Sequence, residues 1–244
     1  MNDFPVRRAE ALGGNEMRSD FFGLLARRLS KYAAVCESIV VSRSLHEVGL
    51  RHADKIPTFT TERELRVLYH LASQCPTGAT ALEIGSHYGA STCYLVAGLL
   101  RRGGHLYCAD TWQNDAMPGD REDTYARFLK NVRPVRKALT PIRIRSEHLR
   151  AEEIPASLHL VFIDADHSYD AVRVDFVLAE SVLSDQGVIA FHDFGNRDYD
   201  GVTRVVAEAL ASGGWLIAGF VDTLVWIKRN EQAARPAPGH RRQQ

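Results

Sequence analysis

The chain has 244 residues, 45% hydrophobic, 9% aromatic and 25% charged, with 30 Lys and Arg against 30 Asp and Glu. That length and apolar content suit one sizeable α/β core. A formal charge of zero provides no field to gather nucleic acid or an anionic membrane, so neither is expected as a partner. No apolar run reaches the roughly 20 residues of a spanning helix, and the opening MNDFPVRRAEALGGNEMRSD has no apolar secretory core. Cys36, Cys75, Cys93 and Cys108 form no CxxC pair, which suits reduced thiols and a cytoplasmic location.

Residues 1–20 are polar and read as loosely ordered. From Asp20, the apolar positions Phe21, Leu24, Leu25, Leu29, Tyr32 and Val35 recur at three- and four-residue steps. They predict an amphipathic helix with Arg27, Arg28 and Lys31 on its wet side. Residues 1–59 are therefore expected to be a helical extension, serving as a lid or as the contact of a homo-oligomer. A second helix opens at Thr60 or Thr61, where T-x-x-E has the form of a capping box, and carries Leu65, Leu68, Leu71 and Ala72.

Short apolar runs then alternate with helical patterns. ATALEIG, HLYCAD, PIRIRS, LHLVFIDAD and GVIAFHD read as strands. ASTCYLVAGLLRR, DTYARFLKNVRPVRKAL, YDAVRVDFVLAESVL and GVTRVVAEALAS read as the helices between them. This rhythm predicts a doubly wound α/β domain with a mostly parallel sheet over residues 60–229. WLIAGF and TLVWIK are separated only by Val221 and Asp222, too close for a crossover helix. They predict a hairpin that puts an antiparallel strand at the end of the sheet. Residues 230–244 are polar and broken by proline and predict a disordered tail.

In open α/β sheets ligands bind beyond the carboxyl ends of the strands. The first such end reads Glu83-Ile84-Gly85-Ser86-His87-Tyr88-Gly89-Ala90-Ser91-Thr92. Gly85 and Gly89 permit a tight turn and close approach to a ligand, or simply a strand-to-helix turn. Ser91 and Thr92 offer hydroxyls beside the free N–H groups of the next helix. Glu83 would repel a pyrophosphate but suits an ammonium or sulfonium. The G-x-G-x-x-G spacing of dinucleotide folds is absent. Asp110, closing the second strand, can accept from a ribose diol or cap the next turn.

E-x-G-x-x-x-G-x-S, the acid closing strand two and the terminal hairpin resemble the class I S-adenosylmethionine-dependent methyltransferases. Within that class, FIDADHSYD followed by GVIAFHDF resembles the cation-dependent O-methyltransferases, the catechol, caffeoyl-CoA, antibiotic and sugar enzymes among them. The likeness runs from about Thr80 to Lys228. It implies a Rossmann-like seven-stranded fold with S-adenosylmethionine as methyl donor. It also implies that Glu83, Gly85 and Ser91, with Ser86 and Gly89 in the same loop, hold the methionine end. Asp110 would hold the ribose and Ser146-Glu147 the adenine side.

The fourth strand end gathers Asp164, Asp166, His167 and Asp170, and the fifth offers His192 and Asp193. Transfer of a methyl group from a sulfonium needs an oxygen nucleophile relieved of its proton. A divalent cation lowers that proton's pKa and a base removes it. Asp164 is the natural first metal ligand, close to the cofactor as well, and Asp193 and His192 complete the expected set. Mg²⁺ prefers oxygen, whereas His192 better suits manganese, iron or zinc. The related families usually place Asp-Asn or Glu-Asp where this chain has His192-Asp193. His167, where related enzymes carry a lysine or histidine base, is read as the base, or else as a helix cap or substrate contact. Asp166 and Asp170 are read as helix N-terminal acids and Asp175 as solvated or salt-bridged.

Thr111-Trp112 is read as packing on adenine or as ordinary core, and the polar stretch DTWQNDAMPGDRED as a flap over the site. His87 and Tyr88 are read as turn residues, or else as contacts to substrate or cofactor. The expectation is an S-adenosylmethionine-dependent O-methyltransferase acting on a small hydroxylated acceptor with help from Mg²⁺ or another divalent cation. The alternatives are a nicotinamide-dependent oxidoreductase and a non-catalytic cofactor-binding module.

Overall fold

Seven strands form one sheet: β1 (Thr80–Ile84), β2 (His105–Asp110), β3 (Leu139–Arg143), β4 (Leu158–Ile163), β5 (Leu183–Phe191), β6 (Trp215–Val221) and β7 (Leu224–Arg229). Their order is β3-β2-β1-β4-β5-β7-β6. The first five are parallel, and β7 runs antiparallel to both of its neighbours. The computed structural model describes residues 31–114 and 122–233. Strands β1 and β4 are buried over consecutive positions, with Leu82, Ile84, Val161 and Ile163 in one core cluster with Phe176 and Phe191. Such continuous burial is what a parallel strand covered on both faces requires. Emptying one of the larger positions, as in Phe191→Ala, would cost about 3–5 kcal/mol.

Helix α1 spans residues 31–47, and the helices among the strands are α2 (Glu62–Gln74), α3 (Ala90–Leu100), α4 (Tyr125–Asn131), α5 (Tyr169–Val182) and α6 (Asp200–Ala211). The expected capping box is present: the Thr61 hydroxyl accepts from Glu64 N, and the Glu64 carboxylate accepts from Thr61 N. Helix α2 crosses α3 at Gly98, where a Cβ would lie 2.5 Å from the Tyr69 carbonyl oxygen. Only a bare backbone allows that crossing, and it fixes the helix that carries Glu64.

The order of strands reverses between β1 and β4, so the crevice that this fold offers to ligands opens at their carboxyl ends. The expected hairpin forms with Asp222 and Thr223 as its turn. The antiparallel strand does not end the sheet, however. Helix α6 carries the chain past an open slot to the edge position, β6 forms there, and β7 folds back into the slot beside β5.

One helical expectation changes. The stretch read as one helix from Asp123 to Leu139 stops at Asn131 and continues as a 3-10 helix, Arg133–Ala138. Pro134 has no N–H to give the carbonyl one turn back, so an α-helix cannot run through it. By its contacts the chain divides into two units, Met1–Val41 and Ser42–Gln244. The start of the first amphipathic helix, Met117-Pro118-Gly119 of the expected flap and the tail from residue 234 lie outside the described residues. No helix among the described residues is long and apolar enough to cross a membrane.

Candidate active site

Strand β1 ends at Ile84, and Gly85 turns the chain with φ +89°. A Cβ here would lie 1.9 Å from the carbonyl oxygen of Asp164. Only glycine lets the first loop pass so close to the end of β4, and Asp164 N in turn donates to Ile84 O at 2.8 Å. The two expected site loops are thus one unit.

Glu83 was expected to meet the ligand, and the structure corrects this. Its carboxylate is fully buried and lines neither cavity described below. It accepts from the hydroxyls of Ser86 at 2.7 Å, Ser91 at 2.6 Å and Thr92. Burial pushes its pKa up to about 7, against the pull of the three hydroxyls. Glu83 therefore orients Ser86 and Ser91, which do face a cavity. Gly89 serves as the left-handed N-cap of α3.

Asp110 is already engaged. Its Oδ2 accepts from Ser86 N at 2.7 Å and His87 N at 2.8 Å, and its Oδ1 accepts from Trp112 N at 2.5 Å. One lone pair on Oδ1 remains for a ribose hydroxyl, so the carboxylate pins the glycine loop as much as it offers itself to a ligand. Trp112 is core: its ring is fully buried and packs 4.7 Å from Phe128 and 4.8 Å from Tyr125. Ser146 opens a 3-10 turn after β3 and faces the same cavity as Asp110.

Two cavities meet over these loops. The first, about 770 Å³, runs from Gly85 past Asp110 and Ile144 to Ser146 and Glu147. The second, about 1210 Å³, is walled by Phe59, Thr61, Tyr88, His167, Tyr199 and Thr223, among others. They share Gly85, His87, Asp164 and Ala165. His87, read from sequence as a turn residue, therefore faces both, and Tyr88 faces the second with Arg127 stacked 4.0 Å over its ring.

At the junction four titratable side chains converge. His167 Nε2 lies 3.7 Å from Asp164 Oδ1 and 3.1 Å from Asp193 Oδ2. His192 Nδ1 lies 3.3 Å from Asp164 Oδ1 and 3.0 Å from Asp193 Oδ2, while its Nε2 lies 3.3 Å from Glu64 Oε2. Asn196 donates to Asp193 Oδ1 at 2.9 Å, and Tyr199 stacks on His167 at 4.3 Å.

Charge follows from that geometry. Burial alone would depress His192, but Asp164, Asp193 and Glu64 outweigh it and push its pKa up to about 12. The same competition leaves His167 at about 9. Burial works against the acids too. The histidines nevertheless hold Asp164 and Asp193 below their ordinary values, and His192 with Thr61 N and Thr223 holds Glu64 at about 2.

Among the described residues, one donor atom each from Asp164, His167 and Asp193 lie within 4.8 Å of one another, a spacing suited to a metal ion. The expected set was Asp164, His192 and Asp193; in this group His167 stands where His192 was expected. The fit has a structural sign. His167 Nε2 is buried and, although close to both carboxylates, makes no directed hydrogen bond to either. That leaves the His167 nitrogen open to a further partner, whereas Asp193 Oδ2 is already hydrogen-bonded to His192 Nδ1 at 3.0 Å.

Asp166 accepts from Ser168 N at 2.8 Å, as a helix-entry acid should. Asp175 is neither solvated nor salt-bridged: it is fully buried and neither oxygen has a directed hydrogen bond. Burial pushes its pKa up to about 7, opposed by the nearby Ser146 hydroxyl. Glu64, Asn196, Tyr199 and Thr223 were not anticipated. Glu64 announced itself only as a capping residue, since its partners lie 128 and 159 residues away.

Residues 82–194 match a family described as a methyltransferase domain. A protein of Sinorhizobium fredii, itself uncharacterised, is 33% identical over 137 residues, covering 53% of this chain. The chain spans only 15% of that relative's length. The SAH-bound methyltransferase PaMTH1 of Podospora anserina superposes with TM-score 0.57 at 14% identity, over 91% of this chain and 100% of that one. The O-methyltransferase TomG of Streptomyces achromogenes, solved with SAM, gives TM-score 0.52 at 16% identity, over 76% of this chain and 89% of its own. Residues 82–194 are thus similar to a methyltransferase domain, and the sheet has the Rossmann-like fold seen in these methyltransferase structures.

Proposed function

We propose that this chain transfers the methyl group of S-adenosylmethionine to a hydroxyl oxygen of a small molecule, with a divalent cation at the junction. The observation that carries this reading is the meeting of two cavities at Gly85 and Asp164. A donor extended through the first, adenosine toward Asp110 and Ser146, brings its sulfonium methyl to the junction. An acceptor in the second reaches the same point from the other side, which is the in-line approach that displacement at carbon requires. The acceptor hydroxyl gives up its proton to water or to a base at the junction, its oxygen forms the new C–O bond, and the S–CH₃ bond breaks. Its electron pair stays on sulfur, giving S-adenosylhomocysteine and a methyl ether.

Asp164, His167 and Asp193 would hold the cation, with His192 Nδ1 turned toward the same carboxylates. When bound, the cation lowers the pKa of an acceptor hydroxyl beside it. Tyr199 and Asn196 keep His167 and Asp193 in place. Contact with the Asp164 and Asp193 carboxylates favours the protonated form of His167. Phe59, Tyr88 and Tyr199 give the second cavity flat apolar walls among hydroxyl and carboxylate groups. That lining suits a sugar, phenolic or polyketide hydroxyl.

Calorimetry tests the donor: S-adenosylmethionine and S-adenosylhomocysteine should bind and NADH should not, and the reverse result removes the reading. A methyl-transfer assay against a hydroxylated metabolite panel, with Mg²⁺, with Mn²⁺ and with EDTA, tests the rest. Full activity in EDTA would remove the cation's role while leaving methyl transfer standing.

A further inference from the structure

The loop Ile56-Pro57-Thr58-Phe59-Thr60-Thr61 leads into α2 and is pinned along its length. Pro57 fixes its own φ, and Thr60 N donates to Thr58 Oγ1 at 3.1 Å. Thr61 closes the capping box, and its hydroxyl donates to Asp222 Oδ2 at 2.9 Å. Ile56 and Thr60 are buried on either side. Phe59 between them is nevertheless 77% exposed, the highest value of any large apolar side chain among the described residues, and it lines the second cavity. An apolar ring on a slack loop can fold away from water. On a pinned loop it stays in water until another flat group lies on it, and that contact then recovers its burial energy.

The same cavity is one-sided in charge. Glu64, Asp164, Asp193 and Asp222 line it, and among the described residues no Lys or Arg does. Two guanidiniums attached to its wall residues are already engaged, Arg63 with Asp222 at 2.6 Å and Arg127 over the Tyr88 ring at 4.0 Å. Phosphate and carboxylate groups are taken up by Arg or Lys, and a desolvated anion among carboxylates is costly. A divalent cation at the junction would bring two positive charges, which Asp164 and Asp193 already match. The start of α3, which reaches this cavity at Ala90 and Ser91, is allotted to the donor's own carboxylate. We propose that the acceptor is an uncharged hydroxylated ring that lies on Phe59, and that the cavity turns away acceptors carrying a phosphate or a carboxylate. Phe59 is then a specificity-determining residue. The inference rests on the methyl-transfer reading above and names the acceptor class for that site.

The test offers acceptors in pairs that share a ring and differ in charge: methyl protocatechuate against protocatechuate, and methyl glucoside against glucosyl phosphate. Methyl transfer is followed as S-adenosylhomocysteine released, with Mg²⁺ or Mn²⁺ present. In each pair that reacts, the neutral member should have the larger kcat/KM by about 10-fold or more. Parity, or a faster anionic member, overturns the proposal. Phe59→Ala should raise KM for the preferred neutral acceptor about 10-fold and leave S-adenosylhomocysteine affinity unchanged, whereas Phe59→Tyr, which keeps the ring, should retain the low KM. An unchanged KM in Phe59→Ala overturns the platform, as does a change in oligomeric state in its place, which would assign the ring to a contact between copies. No transfer to any of these acceptors, by protein that binds S-adenosylmethionine, removes the small-molecule reading itself and this inference with it.

Discussion

The two halves of the candidate site are built differently. In the loop after β1, which runs between the two cavities, the polar groups are satisfied close to home in sequence: Ser86 and Ser91 give their hydroxyls to Glu83 3 and 8 residues away, and Asp110 gathers backbone N–H groups 23 and 24 residues back. These partners are neutral donors around one acid at a time. Around the second cavity the partners come from α2, from the ends of β4 and β5, and from the β6–β7 turn. There three carboxylates face two histidines, with Glu64 and His192 separated by 128 residues. The first half is a scaffold of dipoles, stiff and available to any ligand of the right shape. The second is an assembly of charges whose balance depends on what is bound, and the proposed chemical step is assigned to it.

That contrast can be broken, starting with the largest effect. Asp193→Ala removes the carboxylate that both histidines face, and turnover should fall at least 10³-fold while S-adenosylhomocysteine binding stays within a few-fold. Equal losses in both would mean the halves are not separate. Gly85→Ala attacks the seam between them, combining a left-handed backbone with the 1.9 Å approach to Asp164 O. It should lower stability by ~3 kcal/mol in denaturant unfolding, and a well-folded variant with normal affinity would contradict the close passage. Asp110→Asn weakens the hold on Ser86, His87 and Trp112 N–H groups. Calorimetry should show methyl-donor affinity reduced about 10–100-fold, with kcat at saturation little changed.

The smallest effect lies behind the first half. Asp175 has a folded pKa of about 7 against an ordinary 3.8, so the folded state holds its proton longer than the unfolded state does. Stability contributed by this group is fully present at low pH and is lost as pH rises through 7. Asp175→Asn should therefore raise the melting temperature by an amount that grows from about pH 4 to about pH 7 and then levels off. A gain that does not depend on pH would mean that the carboxyl is not held protonated.

The same contrast explains what could be read in advance. The loop from Glu83 to Thr92 was legible because a tight turn needs glycine, and the hydroxyls beside it sit within one helical turn of their acceptor. Asp164 and Asp193 were legible because strand ends in a parallel sheet are where ligands bind, so an acid there has few other duties. Glu83 misled because burial looks the same in sequence whether a carboxylate faces a ligand or supports the residues that do. Asp175 misled because a helix-interior acid is usually solvated, and only packing reveals which face it occupies. Glu64 stayed hidden because a capping box accounts for it locally.

Sequence by itself determined the alternation of strands and helices, the glycine turn and the acids at the strand ends. Those are set by backbone geometry and by periods of two and 3.6 residues, which act within a few positions. It also determined that the last two strands pair with each other. Tertiary structure alone decided that β7 enters the sheet beside β5, and that His167, His192 and Glu64 share one charge cluster with Asp164 and Asp193. It decided too that the zero net charge conceals a buried, nearly balanced set of acids and imidazoles at the junction of the two cavities. Electrostatic pairing acts through space, and distance along the chain says nothing of it until the sheet has closed.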